Sequence, residues 1–182
     1  MTTFDFGYGP VRAHHHSNGG GWVADTAKVA DTAYVGPDAQ VYGNAQVYGN
    51  AKVLDNAQVF DDARVSGSAQ VSGDARVYGN AWVYGKAQVY GDACVYGNAI
   101  VSGSAQVLDN AQVLDNAWVL DDARVSGNAR VTDNARVTNN AQIFGNVYGK
   151  AEVSGEVEED MFIEMNSKRY KLVEVIEDGL ES

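Results

Sequence analysis

Histidine is the residue type best suited to proton transfer near neutral pH, and the sequence holds only three histidines: His14, His15 and His16. A zinc site takes three or four ligands that converge on one point, whereas the side chains of consecutive residues diverge. One chain therefore does not make a metal site from this run, and we predict neither a metal nor a cofactor. Two alternatives stay open: three chains each contribute one histidine around a common axis, or the run supplies the base of an enzyme.

The candidate nucleophiles lie far from these histidines in the sequence. They are one cysteine and four serines: Cys94, Ser66, Ser72, Ser102 and Ser126. A nucleophile needs an adjacent base, and the region that holds these residues contains no histidine, so it predicts no nucleophile relay. Cys94 is expected to fill an outward position. As the only cysteine it excludes a disulfide framework, which favours a reducing or redox-indifferent compartment.

The elements that hold these residues are set by a six-residue repeat. A hydrophobic residue recurs at every sixth position from Val23 to Ile143, and an alanine recurs at the same period from Ala27 to Ala141. This period fits neither a helix nor a simple meander, so each repeat must be one short strand, Ala-x-Val-x, and one tight turn. Alternation along the strand points Ala and Val inward. The turn pairs, usually Gly-Asn, Asp-Asn, Gly-Ser or Gly-Asp, contain residues that tolerate positive φ.

Three repeats close one triangular coil, and each coil buries its valines only by stacking on its neighbours. Residues 22–157 therefore predict an all-β fold, a single-stranded left-handed parallel β-helix of about seven triangular coils, with a shaft about 34 Å long. Val147 follows Ile143 after only four residues, so two residues are missing near Asn146. We expect the shaft to tilt or end there.

The two ends of the chain lack the repeat. Residues 1–21 form an N-terminal arm, either ordered or flexible, that enters the first coil at Trp22. Residues 158–182 contain two strand-like runs about a polar link and predict a C-terminal β-hairpin. We expect the hairpin to cap the open end of the shaft, because a terminal coil exposes core and a pairing edge. Docking of a partner is the alternative.

The repeat resembles that of a known family. Units such as Ala75-Arg76-Val77-Tyr78-Gly79-Asn80 resemble the hexapeptide-repeat family of left-handed β-helices, and most of all the YdcK-like group of enterobacteria and their phages, which has a transferase-like fold. The resemblance spans Trp22 to about Val157. It implies, as an alternative function, an acyl-CoA-dependent acyltransferase with a base from His14, His15 or His16. The γ-class carbonic anhydrases of the family carry histidines on the shaft, and this shaft has none, so that activity is not expected.

Residues eighteen apart stack, so outward side chains form columns on three faces. The first face carries four consecutive aromatic residues: Tyr42, Phe60, Tyr78 and Tyr96. The second face carries three adjoining apolar residues: Trp82, Ile100 and Trp118. The third face is more polar, with three stacked glutamines: Gln70, Gln88 and Gln106. Three arginines lie beside the aromatic residues, where they suit a ligand that offers a ring and negative charge: Arg64, Arg76 and Arg136.

Two apolar faces and one more polar face are what a three-fold oligomer would show. Relatives in the resembling family are often trimers, which implies the same. We therefore expect a non-catalytic binding or scaffold protein, a homotrimer that can hold a small ligand in grooves between subunits. As alternatives, the aromatic columns stabilise the coils of a monomer, or they bind a flat protein partner.

Charge restricts the partners further. The chain carries a net charge of −11, much of it on turn aspartates, and its basic residues do not cluster. A phosphate backbone needs a positive stripe, so we expect no nucleic-acid binding, although an acidic edge could mimic DNA or collect cations. No apolar segment is long enough for a signal peptide or a membrane span, so we expect no membrane partner. The predicted location is cytoplasmic, or virion-associated if the protein is viral.

Overall fold

The computed structural model describes residues 2–157, all of them in strands, turns or connecting segments and none in a helix. Most strands contain two residues, an outward residue and the inward valine. The first sheet, which forms the first face, has ten strands: β1 Thr3–Asp5, β2 Pro10–His15, β3 Trp22–Ala24, β6 Gln40–Val41, β9 Gln58–Val59, β12 Arg76–Val77, β15 Cys94–Val95, β18 Gln112–Val113, β21 Arg130–Val131 and β24 Asn146–Val147.

The other two sheets have eight strands each. The second face contains β4 Lys28–Val29, β7 Gln46–Val47, β10 Arg64–Val65, β13 Trp82–Val83, β16 Ile100–Val101, β19 Trp118–Val119, β22 Arg136–Val137 and β25 Glu152–Val153. The third face contains β5 Tyr34–Val35, β8 Lys52–Val53, β11 Gln70–Val71, β14 Gln88–Val89, β17 Gln106–Val107, β20 Arg124–Val125, β23 Gln142–Ile143 and β26 Glu156–Val157.

The solenoid strands pair in parallel with a register of one coil. Val65 lies opposite Val47 on one side and Val83 on the other, so each valine continues a column of residues eighteen apart. The chain thus winds about seven coils, and the prediction of an all-β parallel solenoid is confirmed. Its left-handed sense stays a prediction. No helix of the described residues is long and apolar enough to cross a membrane.

The core consists of the repeated valines and alanines. Every such residue from Ala33 to Ile143 has no accessible surface. The inward direction predicted for both residue types is therefore confirmed. Since two-residue strands have little stability of their own, the fold depends on this continuous core and on the ladders between coils.

The corners have one backbone conformation throughout the central shaft. The first residue of each turn from Gly43 to Asn139 has positive φ, and it is a glycine at most corners and an aspartate at six. A side chain is often excluded there: a Cβ on Gly103 would lie 2.6 Å from the carbonyl oxygen of Asp121 in the next coil. The asparagines that usually follow do not adopt positive φ, so glycine and aspartate, rather than these asparagines, make the turn possible.

The corner aspartates satisfy backbone groups of the following coil. Each of the six carboxylates with positive φ accepts a hydrogen bond from the N–H at the same corner one coil later, as Asp109 does from Gly127 at 2.9 Å. The donor–acceptor distances range from 2.9 to 3.3 Å. This bond explains why an L-residue is accepted in the left-handed region at these corners.

The N-terminal arm is an ordered hairpin. Strands β1 and β2 pair antiparallel, and β2 pairs antiparallel with β3, so the arm extends the first sheet beyond the first coil. The segment after β2 covers the top of the third sheet, where Gly21 donates its N–H to Val35 and the Asn18 amide donates to Ala33. The first and third sheets are thus closed at this end, whereas β4 is the end strand of the second sheet.

The shaft continues past the two-residue deletion. Asn146 pairs with Arg130, only sixteen residues earlier, and Glu156 pairs with Gln142 after a second shortened corner. Of the two outcomes expected near Asn146, an end of the shaft does not occur, because a corner shortened by two residues still returns the strand to its sheet. The tilt stays a prediction. The predicted C-terminal hairpin at residues 158–182 lies outside the described residues.

Candidate functional site

The aromatic residues of the first face form a stacked ladder. Consecutive ring centroids of Tyr42, Phe60, Tyr78 and Tyr96 lie 4.8 to 4.9 Å apart, with interplanar angles of 1 to 3°. The spacing equals that of the strands beneath, because each ring stands on its own coil. The predicted continuous stripe is confirmed. Its rings face one another, so much of their surface is covered within the chain.

The N-terminal hairpin lengthens this ladder. Phe6 stacks on Tyr42 at 4.8 Å, and Phe4 packs against both Phe6 and Trp22. Tyr42 is only 9% exposed as a result. Burial raises the pKa of the Tyr42 hydroxyl to about 12, with further contributions from Tyr8 and Asp61 that Arg76 partly offsets. The hairpin therefore packs against the first face as a continuation of its sheet and its aromatic ladder.

The second face carries an apolar stripe of a different kind. Trp82, Ile100 and Trp118 occupy neighbouring strands in register, at the outward position just before the valine. Trp82 is 40% exposed, and Ile100 and Trp118 are half-buried. The indole of Trp82 packs against Tyr84 at 4.5 Å and donates to Ser66 at 3.3 Å. Trp82 is therefore the most exposed residue of the stripe, although Tyr84 and Ser66 cover part of its ring.

Two of the predicted arginines bracket the apolar stripe. Arg64 pairs in register with Trp82, and Arg136 pairs with Trp118. The Arg136 guanidinium lies 4.5 Å from the Trp118 ring centroid and 3.5 Å from Glu152, an exposed pair that contributes little stability. Arg64 is exposed and forms no ion pair with any of residues 2–157. Arg76 lies on the first face beside Cys94, apart from this group.

The three histidines have separate partners. The Nδ1 of His14 lies 3.0 Å from the Asp25 carboxylate at an exposed position. His15 packs on Trp22 with ring centroids 3.9 Å apart, and its Nδ1 lies 2.6 Å from the carbonyl of Gly20. His16 is 6% exposed, and its buried Nε2 has no hydrogen-bond partner in the described residues. The structure therefore does not bring the three imidazoles onto one point.

The side chains considered as nucleophiles are partly or fully buried among their neighbours in the stacked coils. Cys94 is half-buried, its thiol lies 3.7 Å from the carbonyl of Asp92, and burial raises the pKa of that thiol. Arg76 lowers the same pKa and Asp92 raises it, both less than burial does. Ser102 and Ser126 are buried. Within residues 2–157, no three His, Cys, Asp or Glu side chains are grouped as a metal ion would require.

Two features escaped the sequence reasoning. One is the extension of the aromatic ladder by Phe4 and Phe6, for which the only signal is the alternation Phe4-Asp5-Phe6 before a Gly-Tyr-Gly turn. The other is a shallow cleft beside the open edge of β4, for which the sequence holds no signal. Its lining is His14, Val23, Ala27, Lys28, Val29, Ala30 and Tyr48.

These observations define a class of protein: a β-solenoid repeat protein with flat outer faces and one exposed apolar stripe. A family model described as the YdcK Beta solenoid repeat matches six stretches: residues 39–53, 57–70, 69–85, 87–103, 95–109 and 123–139. The predicted resemblance of the repeats to those of YdcK-like proteins is therefore confirmed. Comparison with curated proteins found no match, and neither did comparison with solved structures.

Proposed function

We propose that the protein is a non-catalytic, homotrimeric scaffold whose rigid shafts associate through the second face. The observation that carries this proposal is the stripe of Trp82, Ile100 and Trp118, which the rest of the described chain covers only in part. Adjoining exposed apolar side chains on a flat surface mark an interaction site, because their burial releases water from that surface. The register of the three strands places the stripe on the outside of the second sheet without any rearrangement.

The arginines at the ends of the stripe favour a ring over a two-fold dimer. If the second faces of two copies packed together with parallel shafts, Arg64 of one copy would face Arg64 of the other. If the faces packed with antiparallel shafts centred on Ile100, Arg64 would meet Arg136 of the other copy. The parallel arrangement opposes like charges across an apolar contact, and the antiparallel one places Arg64 against an Arg136 that already pairs with Glu152 of its own chain. A heterologous contact that closes into a ring avoids this, and three copies form the smallest such ring.

The partners of the candidate catalytic side chains support a scaffold over the acyltransferase alternative. His15 is engaged by a ring and a carbonyl, His16 is buried, and burial disfavours the Cys94 thiolate. A general base must reach the proton that it removes, so exposed His14 is the best candidate base of the three if the acyltransferase alternative holds.

We propose that the grooves between subunits hold a small ligand without chemical conversion. The contact groups would be Arg76 and the neighbouring rings of Tyr78 and Tyr96.

Native mass spectrometry on the untagged protein tests the proposal. We expect three times the chain mass for the natural sequence, and the chain mass for Ile100→Glu, which places a charge in the stripe. Gln106→Glu, at the same strand position on the third face, is the matched control and should stay trimeric. Thermal unfolding monitored by circular dichroism checks that both variants keep the fold.

Two outcomes would overturn the proposal. The first is a natural protein that stays monomeric at concentrations well above those in the cell, or an Ile100→Glu variant that stays trimeric. The second is acyl transfer from an acyl-CoA donor that His14→Ala or His15→Ala abolishes, since this would establish the alternative function. Extra mass retained on the trimer would identify the small ligand.

A further inference from the structure

We propose that, in this trimer, one corner of each shaft lies on the second face of the next copy, with Asp62 opposite Arg64. The inference rests on the proposed homotrimer and names its contact. The corner concerned lies between the first and second faces and is called the first corner. From the coil of Arg64 to that of Arg136, its turns are residues 61–62, 79–80, 97–98, 115–116 and 133–134. The contact pairs the two ends of the stripe with acidic groups and its middle with neutral ones.

The second face sets the pattern that a partner must match. Arg64 and Arg136 are four coils apart in register, or about 19 Å, and Trp82, Ile100 and Trp118 fill the coils between them. A complementary surface therefore carries acidic groups about 19 Å apart along the shaft. Between these groups it carries uncharged side chains, because a carboxylate held against an indole loses its water without gaining a partner.

Symmetry fixes which residues can meet. Rotation about an axis parallel to the shaft leaves every residue at its own height, so each coil of one copy faces the same coil of the next. Arg64 is therefore at the height of the turn Asp61-Asp62 of the neighbouring copy, and Arg136 is at the height of the turn 133–134. The corner that fits must carry an acid at the heights of Arg64 and Arg136 and uncharged side chains between them.

Only the first corner matches the pattern at both ends. It carries Asp61 and Asp62 at the height of Arg64, and Asp133 at the height of Arg136. At the heights of the stripe, its second turn residues are neutral amides: Asn80, Asn98 and Asn116. The one acid at those heights is Asp115. Its carboxylate accepts a hydrogen bond from the following coil, as those of Asp61 and Asp133 do, and among these acids only Asp62 has no such bond in the described residues.

The other two corners place charges against the apolar stripe. The corner after the second face carries Lys86 and Asp122 at the heights of the stripe, and its turns nearest Arg64 and Arg136 contain no acid. The corner after the third face carries Asp74, Asp92 and Asp109 at or near the same heights. Contacts of this kind would leave desolvated charges without partners, which disfavours them.

Asp62 and Arg64 have bonding capacity left, whereas Arg136 already lies 3.5 Å from Glu152 of its own chain. Asp62 accepts one hydrogen bond, from the Asn44 amide to its Oδ1 at 3.2 Å, and a carboxylate can accept several. Arg64 is exposed, without an ion pair among the described residues. A guanidinium of one copy and a carboxylate of the next can then form two parallel hydrogen bonds.

A charge swap tests the pairing, and the chain contains its own control. The segment Asp-Asp-Ala-Arg-Val-Ser-Gly occurs twice, at residues 61–67 and at residues 121–127. The first copy lies at the first corner and second face, and the second copy lies at the next corner and third face. Arg64→Glu and Asp62→Arg can therefore be compared with Arg124→Glu and Asp122→Arg in an identical local sequence.

Sedimentation equilibrium on the full chain gives the readout. We expect Arg64→Glu and Asp62→Arg each to weaken trimer association about tenfold or more, the double variant to restore it, and Arg124→Glu and Asp122→Arg to leave it unchanged. The inference is overturned if the single variants associate normally, if the double variant does not recover, or if the control variants dissociate. A monomeric natural protein refutes the homotrimer itself, which is a separate outcome.

Discussion

The hydrogen bonds of the corner aspartates predict that one of two adjacent carboxylates stabilises the fold and the other does not. Asp121 has a φ of 59° and accepts a hydrogen bond from the N–H of Asn139 at 3.0 Å. Asp122 follows it in the same turn, is also exposed, and does not have positive φ. Asp121→Ala and Asp122→Ala remove the same charge at almost the same place, so their difference isolates the bond and the backbone conformation.

The expected magnitudes follow from two contributions. Loss of the hydrogen bond in Asp121→Ala costs about 1 kcal/mol. Alanine also tolerates positive φ less well than aspartate, which adds roughly 0.5 kcal/mol. Asp121→Gly loses the same bond but relieves the left-handed backbone by about 1 kcal/mol, so its net effect is close to zero. Asp122→Ala should stay within about 0.5 kcal/mol of the natural protein.

Urea unfolding at one fixed protein concentration, followed by circular dichroism, measures these differences. The fixed concentration keeps any contribution from association constant. The expected order of stability places Asp121→Gly and Asp122→Ala together near the natural protein, and Asp121→Ala clearly below. Equal effects of the two alanine variants would refute a structural role for the carboxylate. A glycine variant as unstable as the alanine variant would show that the bond alone matters and that backbone strain is negligible.

Three further results are expected. Val83→Ala, in a column without accessible surface, should lower the free energy of unfolding by about 2 kcal/mol in the same assay, and an unchanged midpoint would contradict the packed core. The raised pKa of Tyr42, about 12 against 10.0, means that its contribution to stability is present below pH 10.0 and is lost as the pH approaches 12; Tyr42→Phe should flatten this decline. Because burial raises the pKa of the Cys94 thiol, iodoacetamide at pH 8 should alkylate it more slowly than the unfolded chain.

The solenoid could be predicted from sequence because the residues of each repeat determine one short strand and one turn. An inward valine, an inward alanine and a turn pair recur without a slip, so the register between coils follows from the period alone. The stacking of Tyr42 on Phe60 is a consequence of the same register, since residues eighteen apart must adjoin. The pairing of strands between coils therefore needed no information beyond the repeat period.

The parts that escaped prediction lack such a period. Residues 2–21 fold back as a hairpin that is antiparallel to everything else, and its attachment depends on Phe6 meeting Tyr42 from a distant position in the chain. The deletion after Ile143 predicted a tilt or an end of the shaft, and the end does not occur, because the four residues from Ile143 to Val147 are enough to turn the chain. At both places tertiary contact, and not local pattern, decides the path.

The two apolar faces differ in how far neighbouring coils cover their outward side chains. On the first face, the aromatic rings follow the valine, stack on each other at the strand spacing and need no partner from outside. On the second face, Trp82 and Ile100 precede the valine, in the middle of the sheet, and their outer surfaces remain open. Polar residues fill most of the equivalent positions elsewhere, such as Gln88 and Gln112. Since the fold itself accepts a glutamine there, stability of the coil does not explain the tryptophans, whereas the contact with another copy that we propose would account for them.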